Sequence, residues 1–421
     1  MNKILTKQIQ NKLSLYFCKL NSHLTKPELR CTREITTGIL KTGSVIINQI
    51  ATAIGDSIDK QQTTKRLRNH YNKKGFFLKL LRGHMDCVSD TIHEGDYILF
   101  DGSDIQKKYA KTMEGLDFVK DGDEKNKVGL GYWLMNVVHI DKANKMTPLY
   151  NKLYSFDHGA KSENNEAIEA LKEVDNAISK NVTCVFDRGF DRQIIKDYVV
   201  SQQNNFIIRL KKNTKLIYKG KETTVSTIGK KIPFFMELTA NKRGKNKSKK
   251  INFECGAVKV KYRIKQREFE LWLVATKRKS GGKCWLLTNS PKHTITEVIS
   301  EAFQAYGFRW KIEEYHRHIK SSYDLENIQI KKFDGLQCML AILTIAMGIL
   351  YNTLESMHLR LLLDSKIKIL DKNKVSELRN FIYYKISTII KILLANVYTK
   401  HIIQSKQTQV DVGQMRLNLD F

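Results

Sequence analysis

Apolar residues along the chain follow three successive periods. Residues 1–90 carry helical spacing with few strand signals. Within them, SVIINQIATAIGDSIDKQQTTKRLRNHY predicts a helix-turn-helix. An apolar helix through Ile50, Ala53 and Ile54 stops at Gly55. Asp56–Ser57 can cap a second helix, which carries Lys60, Lys65, Arg66 and Arg68. An ordinary helical hairpin has the same pattern, so DNA binding by this segment stays open.

From residue 95 the period shortens. Tyr97–Phe100 (YILF) predicts a short apolar strand ending at Asp101, and residues 128–140 and 146–156 predict two more. Residues 163–179 are helical through Ala167, Leu171, Val174 and Ile178. Val182–Phe186 is a buried strand ending at Asp187, followed by a helix near 193–202 and a strand at Phe206–Leu210. Three strands, helix, strand, helix, strand is an α/β order with a mixed sheet.

Between 211 and 285 the helical signal is lost, and alternating segments around a basic loop, NKRGKNKSKK, predict a β-rich insertion in the α/β core. After Pro291 the chain reads as helical to about residue 400. The expected organisation is therefore a helical N-terminal DNA-binding region (1–90), a first core part (91–210), the insertion (211–285), a second core part (286–330) and a helical C-terminal region (331–421), whose helices over 335–400 are the expected contact between protomers.

Charge adds a partner. Lys and Arg number 72 against 43 Asp and Glu, a formal net charge of +29, which draws polyanions and nucleic acid first among them. A merely basic protein remains compatible with composition alone. The N-terminus lacks the apolar run of a signal peptide, and Cys338–Tyr351 is too short for a membrane span of about 20 residues, so no membrane partner and a cytoplasmic location are expected. The 7 cysteines are scattered without zinc spacing and predict reduced thiols.

The candidate chemistry lies between Tyr306 and Lys320, YGFRWKIEEYHRHIK. On one helix, Tyr306, Arg309, Arg317 and Lys320 would fall within roughly 40° of Glu313. Phe308, Ile312, Tyr315 and Ile319 would form a separate apolar face that docks on the sheet. A solvated face of ion pairs would explain Glu313 with its arginines. It would not explain Asp101 and Asp187, carboxylates that follow apolar strands and are costly to bury without a cation or a donor. Three converging carboxylates suit Mg²⁺ and can hold two ions about 3.5–4 Å apart for in-line displacement at phosphorus. Each aspartate taken alone also reads as a cap or turn residue.

The spacing Tyr306-x2-Arg309-x3-Glu313-x6-Lys320, together with FDGSD, VFDRGFD and WLLTN, resembles the YREK signature of bacterial insertion-sequence transposases of family four, over roughly residues 95–330. The resemblance implies an RNase H-like fold and an Asp101–Asp187–Glu313 triad, with Glu313 preferred to Glu314 and Asp101 to Asp104. It implies two Mg²⁺ ions, for which Mn²⁺ can substitute. It also implies that Arg209 contacts phosphate, that Trp285 holds a flipped base, and that Tyr306, Arg309, Arg317 and Lys320 position DNA. The implied activity is cut-and-paste transposition: nicking at terminal inverted repeats of double-stranded DNA, hairpin formation, and joining of the 3′-OH to target DNA by a homodimeric synaptic complex. Two other readings remain: a domesticated DNA-binding regulator that does not cut, and a nuclease of the same fold without strand transfer.

Overall fold

In the computed structural model, residues 2–120, 128–178, 181–243, 248–278, 281–352 and 383–395 are described. Parts of the basic loop at 241–250 and of the expected protomer contact, residues 353–382 and 396–400, fall outside them.

The core is built as the alternation predicts, with one difference in its first strand. β1 (Tyr97–Gln106) does not end at Asp101 but runs five residues beyond it. Asp101, Gly102 and Ser103 stay extended because β3 (Val128–Ile140) supplies backbone partners along the whole length, from Tyr97↔Ile140 to Gln106↔Gly131. A short strand that periodicity does not show, β2 (Asp117–Lys120), pairs with the start of β3, and β4 (Met146–Tyr154) pairs with the rest of it. β5 (Thr183–Phe186) and β6 (Asn205–Arg209) then add parallel to β1. The resulting order β4-β3-β1-β5-β6, three antiparallel strands followed by two parallel ones, is the RNase H-like arrangement. Helices α6 (Glu163–Ala177) and α7 (Gln193–Ser201) make the crossovers that parallel pairing requires.

The β-rich segment extends this same sheet. β12 (Lys283–Thr288) pairs with β6, and β11 (Arg267–Arg278), β10 (Ser248–Ile264), β7 (Lys215–Tyr218) and β8 (Lys221–Thr224) follow outward, with β9 (Met236–Arg243) on β10. Asn289 fastens the junction: its Oδ1 accepts from the Phe206 N–H and its amide donates to the Asn204 carbonyl.

Five helices precede β1, namely α1 (Asn2–Leu20), α2 (Lys26–Thr42), α3 (Ile47–Ile54), α4 (Lys60–Tyr71) and α5 (Phe76–Ser89). α3 ends at Gly55, whose φ of 63° is the left-handed conformation that favours glycine. α4 is capped not by Asp56–Ser57 but by Asp59, which accepts from the Gln61 N–H. Asp56 instead binds Arg66, which also binds Glu34. Arg66 thus clasps the helical region together, while Lys60, Lys65 and Arg68 are exposed.

The chain then runs through α9 (Ile295–Gly307) and α10 (Trp310–Ser322) to α11 (Phe333–Asn352), a longer helix than its apolar run predicts. By length and composition α11 could cross a membrane, but 94% of its apolar window is buried inside this protein, against β4, α5 and α2. Within the described residues α11 is therefore a core helix of its own chain. α12 (Tyr383–Leu394) packs against α2 and α11.

Candidate active site

Register places the acidic residues. Phe100 pairs with Phe186 across β1 and β5, Phe186 pairs with Ile208 across β5 and β6, and the two phenylalanine rings stack at 5.0 Å. One residue further along these parallel strands come Asp101, Asp187 and Arg209, side by side on the opposite face. The row continues through cross-strand partners, Asn136 and Asn151 on one side of Asp101 and Leu286 beyond Arg209. One buried apolar row is therefore followed directly by a row that is polar from Asn151 to Arg209.

The carboxylate over this row comes from α10. Three of the four predicted apolar positions form its buried face, Ile312, Tyr315 and Ile319, while Phe308 lies before α10 and is only partly buried, and the Asn151 amide donates to the Tyr315 hydroxyl at 2.6 Å. The motif is not a single helix, however. The helix is interrupted at Phe308–Arg309, so Tyr306 projects from α9 and Arg309 stands just before α10. The break aims both side chains at the same carboxylate. The Tyr306 hydroxyl donates to Asp187 Oδ1 at 2.8 Å, and Arg209 Nη1 donates to the Tyr306 oxygen at 3.1 Å and lies 3.5 Å from Asp187. Arg309 bridges two members of the triad, 3.8 Å from Asp187 Oδ2 and 2.6 Å from Glu313 Oε1.

Charge follows from these contacts. Burial pushes the Asp187 carboxyl up, but Arg309, the Arg188 N–H, Tyr306 and Arg209 together outweigh it and hold the group below its ordinary value. Asp101 has no such set of donors. Burial raises its carboxyl to about 7, Asp187 and Glu313 push the same way, and Arg309 and the Gly102 N–H only partly oppose them. Asn136, its cross-strand partner, is fully buried, and neither atom of its side-chain amide has a hydrogen-bond partner.

The remaining candidates separate. Arg317 is 65% exposed and pairs with Glu314, not with Glu313. Lys320 lies 3.5 Å from Asp104, so the two aspartates of FDGSD have different surroundings: Asp104 faces a lysine, whereas Asp101 faces Arg309 together with two carboxylates. Trp285 is not brought to the triad. Its neighbour Cys284 shares the site, its thiol pushed up to about 11 by burial with Arg209 and Asp187 acting on it. Alternation along β12 turns Trp285 to the other face of the sheet. There it packs under α8 (Val225–Gly229), so close that a Cβ on Gly229 would stand 2.4 Å from the indole Nε1.

Asn136 and Cys284 are site residues that motif reasoning missed. A lone asparagine inside the apolar run WLMNVV was the available signal for the first; nothing marked the second.

Among the described residues, no group of three His, Cys, Asp or Glu side chains closes tightly enough to hold an ion as it stands, because Arg309 sits between Asp187 and Glu313. The donor set nevertheless fits a divalent cation. Three hard carboxylates share the site, one of them is driven toward protonation by burial with the other two adding to it, and a buried amide beside it is unpartnered.

The family described as Transposase DDE domain matches residues 92–349. No curated protein matches the chain. Among solved structures, a piggyBac transposase synaptic complex with hairpin DNA is similar at 8% identity, covering 96% of this chain and 82% of that one, with a TM-score of 0.47.

Proposed function

The chain belongs to the transposase DDE domain family, and on that premise we propose that it cuts double-stranded DNA at the inverted repeats of its own element and joins the freed 3′-OH ends to target DNA. The observation that carries the reading is the Asp101–Asp187 row under Glu313, with one arginine shared between the last two.

Asp101, Asp187 and Glu313 are the residues that would hold divalent ions. When bound, Mg²⁺ or Mn²⁺ supplies activation of the attacking oxygen and stabilisation of the leaving oxygen at phosphorus. The chain's own residues set up that centre. Tyr306 and Arg209 fix the orientation of Asp187, and Arg309 keeps Asp187 and Glu313 from repelling one another. Arg209 and Arg309 are each partly accessible and offer fork-shaped donors suited to phosphate oxygens. In the proposed sequence water opens one strand, the new 3′-OH attacks the opposite strand to give a hairpin, water reopens it, and the same 3′-OH attacks the target. Synapsis of two ends would take a homodimer. The packed position of Trp285 does not support a base-holding role for it.

The test uses the full chain and DNA flanking its gene. Asp101→Asn, Asp187→Asn and Glu313→Gln should each abolish cleavage in Mg²⁺ and Mn²⁺ while leaving DNA binding in place. Retained cleavage in any of the three removes that residue from the triad, and retention in all three rejects the reading.

A further inference from the structure

Glu313 of the triad lines a cleft of about 1000 Å³, formed by the end of β1 and the following loop on one wall and by α10 and residues 326–331 on the other. Its walls are fastened together. The Lys107 ammonium donates to the Glu326 and Ile328 carbonyls at 2.6 and 2.7 Å, and the Glu114 N–H donates to the Lys331 carbonyl at 2.8 Å. Lys320, paired with Asp104, ties α10 to β1. The cleft is therefore formed before any ligand arrives.

Three features of its lining are unexplained by the fold. Tyr109 stands at the cleft 94% exposed, a large ring with no packing role. Lys108 and Lys331 are exposed beside it and enter no ion pair among the described residues. His316, one turn along α10 from Glu313, is only 8% exposed, yet its Nε2 has no hydrogen-bond partner. A ring for stacking, cations for phosphates and a polar atom lacking a partner are the elements of a single-strand nucleic-acid site. A base inside a duplex has both faces covered by its neighbours, so stacking on Tyr109 calls for a base freed from that stack.

We propose that this cleft seats an unpaired stretch of DNA adjoining the scissile phosphate, with a base stacked on Tyr109, phosphates against Lys108 and Lys331, and a hydrogen bond to His316. The inference rests on the reading of the triad as a DNA-cleaving centre, since Glu313 lines the cleft.

The test measures binding by the full-length chain without divalent ions, where no cleavage occurs. The probes are a labelled blunt duplex and the same duplex bearing an unpaired oligothymidine tail. The wild-type chain should prefer the tailed probe. Tyr109→Ala should lose that preference by about tenfold with affinity for the blunt duplex unchanged, Tyr109→Phe should retain it, and Lys331→Glu should weaken tail binding. Because Tyr109 is solvent-exposed, its replacement leaves the core intact. An unchanged tail preference in Tyr109→Ala overturns the proposal. So does a wild-type chain that cleaves duplex DNA normally but has no preference for the tail, a result that leaves the triad reading standing. A chain that never cleaves yet shows the Tyr109-dependent preference supports the cleft and counts against the triad instead.

Discussion

The hydroxyl of Tyr306 donates to Asp187 Oδ1 at 2.8 Å across a separation of 119 residues, and Arg209 holds the same hydroxyl from the other side. Tyr306 is thus a positioning residue for a carboxylate that is held ionised. Tyr306→Phe keeps the ring and removes the donor. A hydrogen bond to a charged group is worth about 1.5–3 kcal/mol, so cleavage at limiting Mg²⁺ should slow by about ten- to a hundredfold while the melting temperature falls by only a few degrees. Recovery at high Mg²⁺ would show that the loss lies in ion capture; a wild-type rate at all concentrations would remove the role.

Arg309 is the counter-charge shared by Asp187 and Glu313, with Asp101 close by. Arg309→Gln leaves three neighbouring carboxylates without it. We expect stability in EDTA to fall by about 1–3 kcal/mol, and added Mg²⁺ or Mn²⁺ to restore more of it than in the wild type, because ions then bind where the arginine stood. Thermal melts with and without the ion check this, and an ion-independent loss would contradict it.

Buried His84 supplies a pH dependence away from the site. Its Nε2 hydrogen-bonds the Pro148 carbonyl at 2.7 Å and its Nδ1 the Tyr16 hydroxyl at 2.6 Å, and burial lowers its pKa to about 4. An unfolded histidine titrates near 6.5, so below that pH the unfolded chain takes up a proton that the folded one refuses. The stability is fully present above about pH 6.5 and is lost on acidification, by about 3 kcal/mol when pH 4 is reached. Denaturant midpoints followed from neutral to acid pH should fall less steeply in His84→Gln than in the wild type. Equal slopes would show that His84 does not govern the transition.

Trp285 packs under Gly229 on the face of the sheet away from Cys284. Trp285→Ala should therefore destabilise the fold by about 3 kcal/mol or more, and every step of DNA processing should decline together. Gly229→Ala, which places a methyl against the indole, should act in the same direction. A normal melt with selective loss of hairpin products would restore the base-holding role.

Local sequence by itself determined most of the scaffold. Alternation located the core strands, helical spacing located α6, α7 and the apolar face of α10, and a carboxylate after each of two apolar strands marked Asp101 and Asp187. These are consequences of backbone period and of the cost of burying charge, and both can be read from neighbours in the chain. What tertiary structure decided was everything that depends on registration between strands or on a bend. Pairing with β3 carried β1 past Asp101, and parallel register set Arg209 beside Asp187. The break at Phe308–Arg309 turned Tyr306 onto a carboxylate, where one continuous helix would have set it alongside Glu313. Pairing of β12 with β6 gave the site face to Cys284 and sent Trp285 to the other side. A one-residue difference in register exchanges the two faces of a strand, and nothing in the local sequence around Trp285 fixes which face its partner strand will offer.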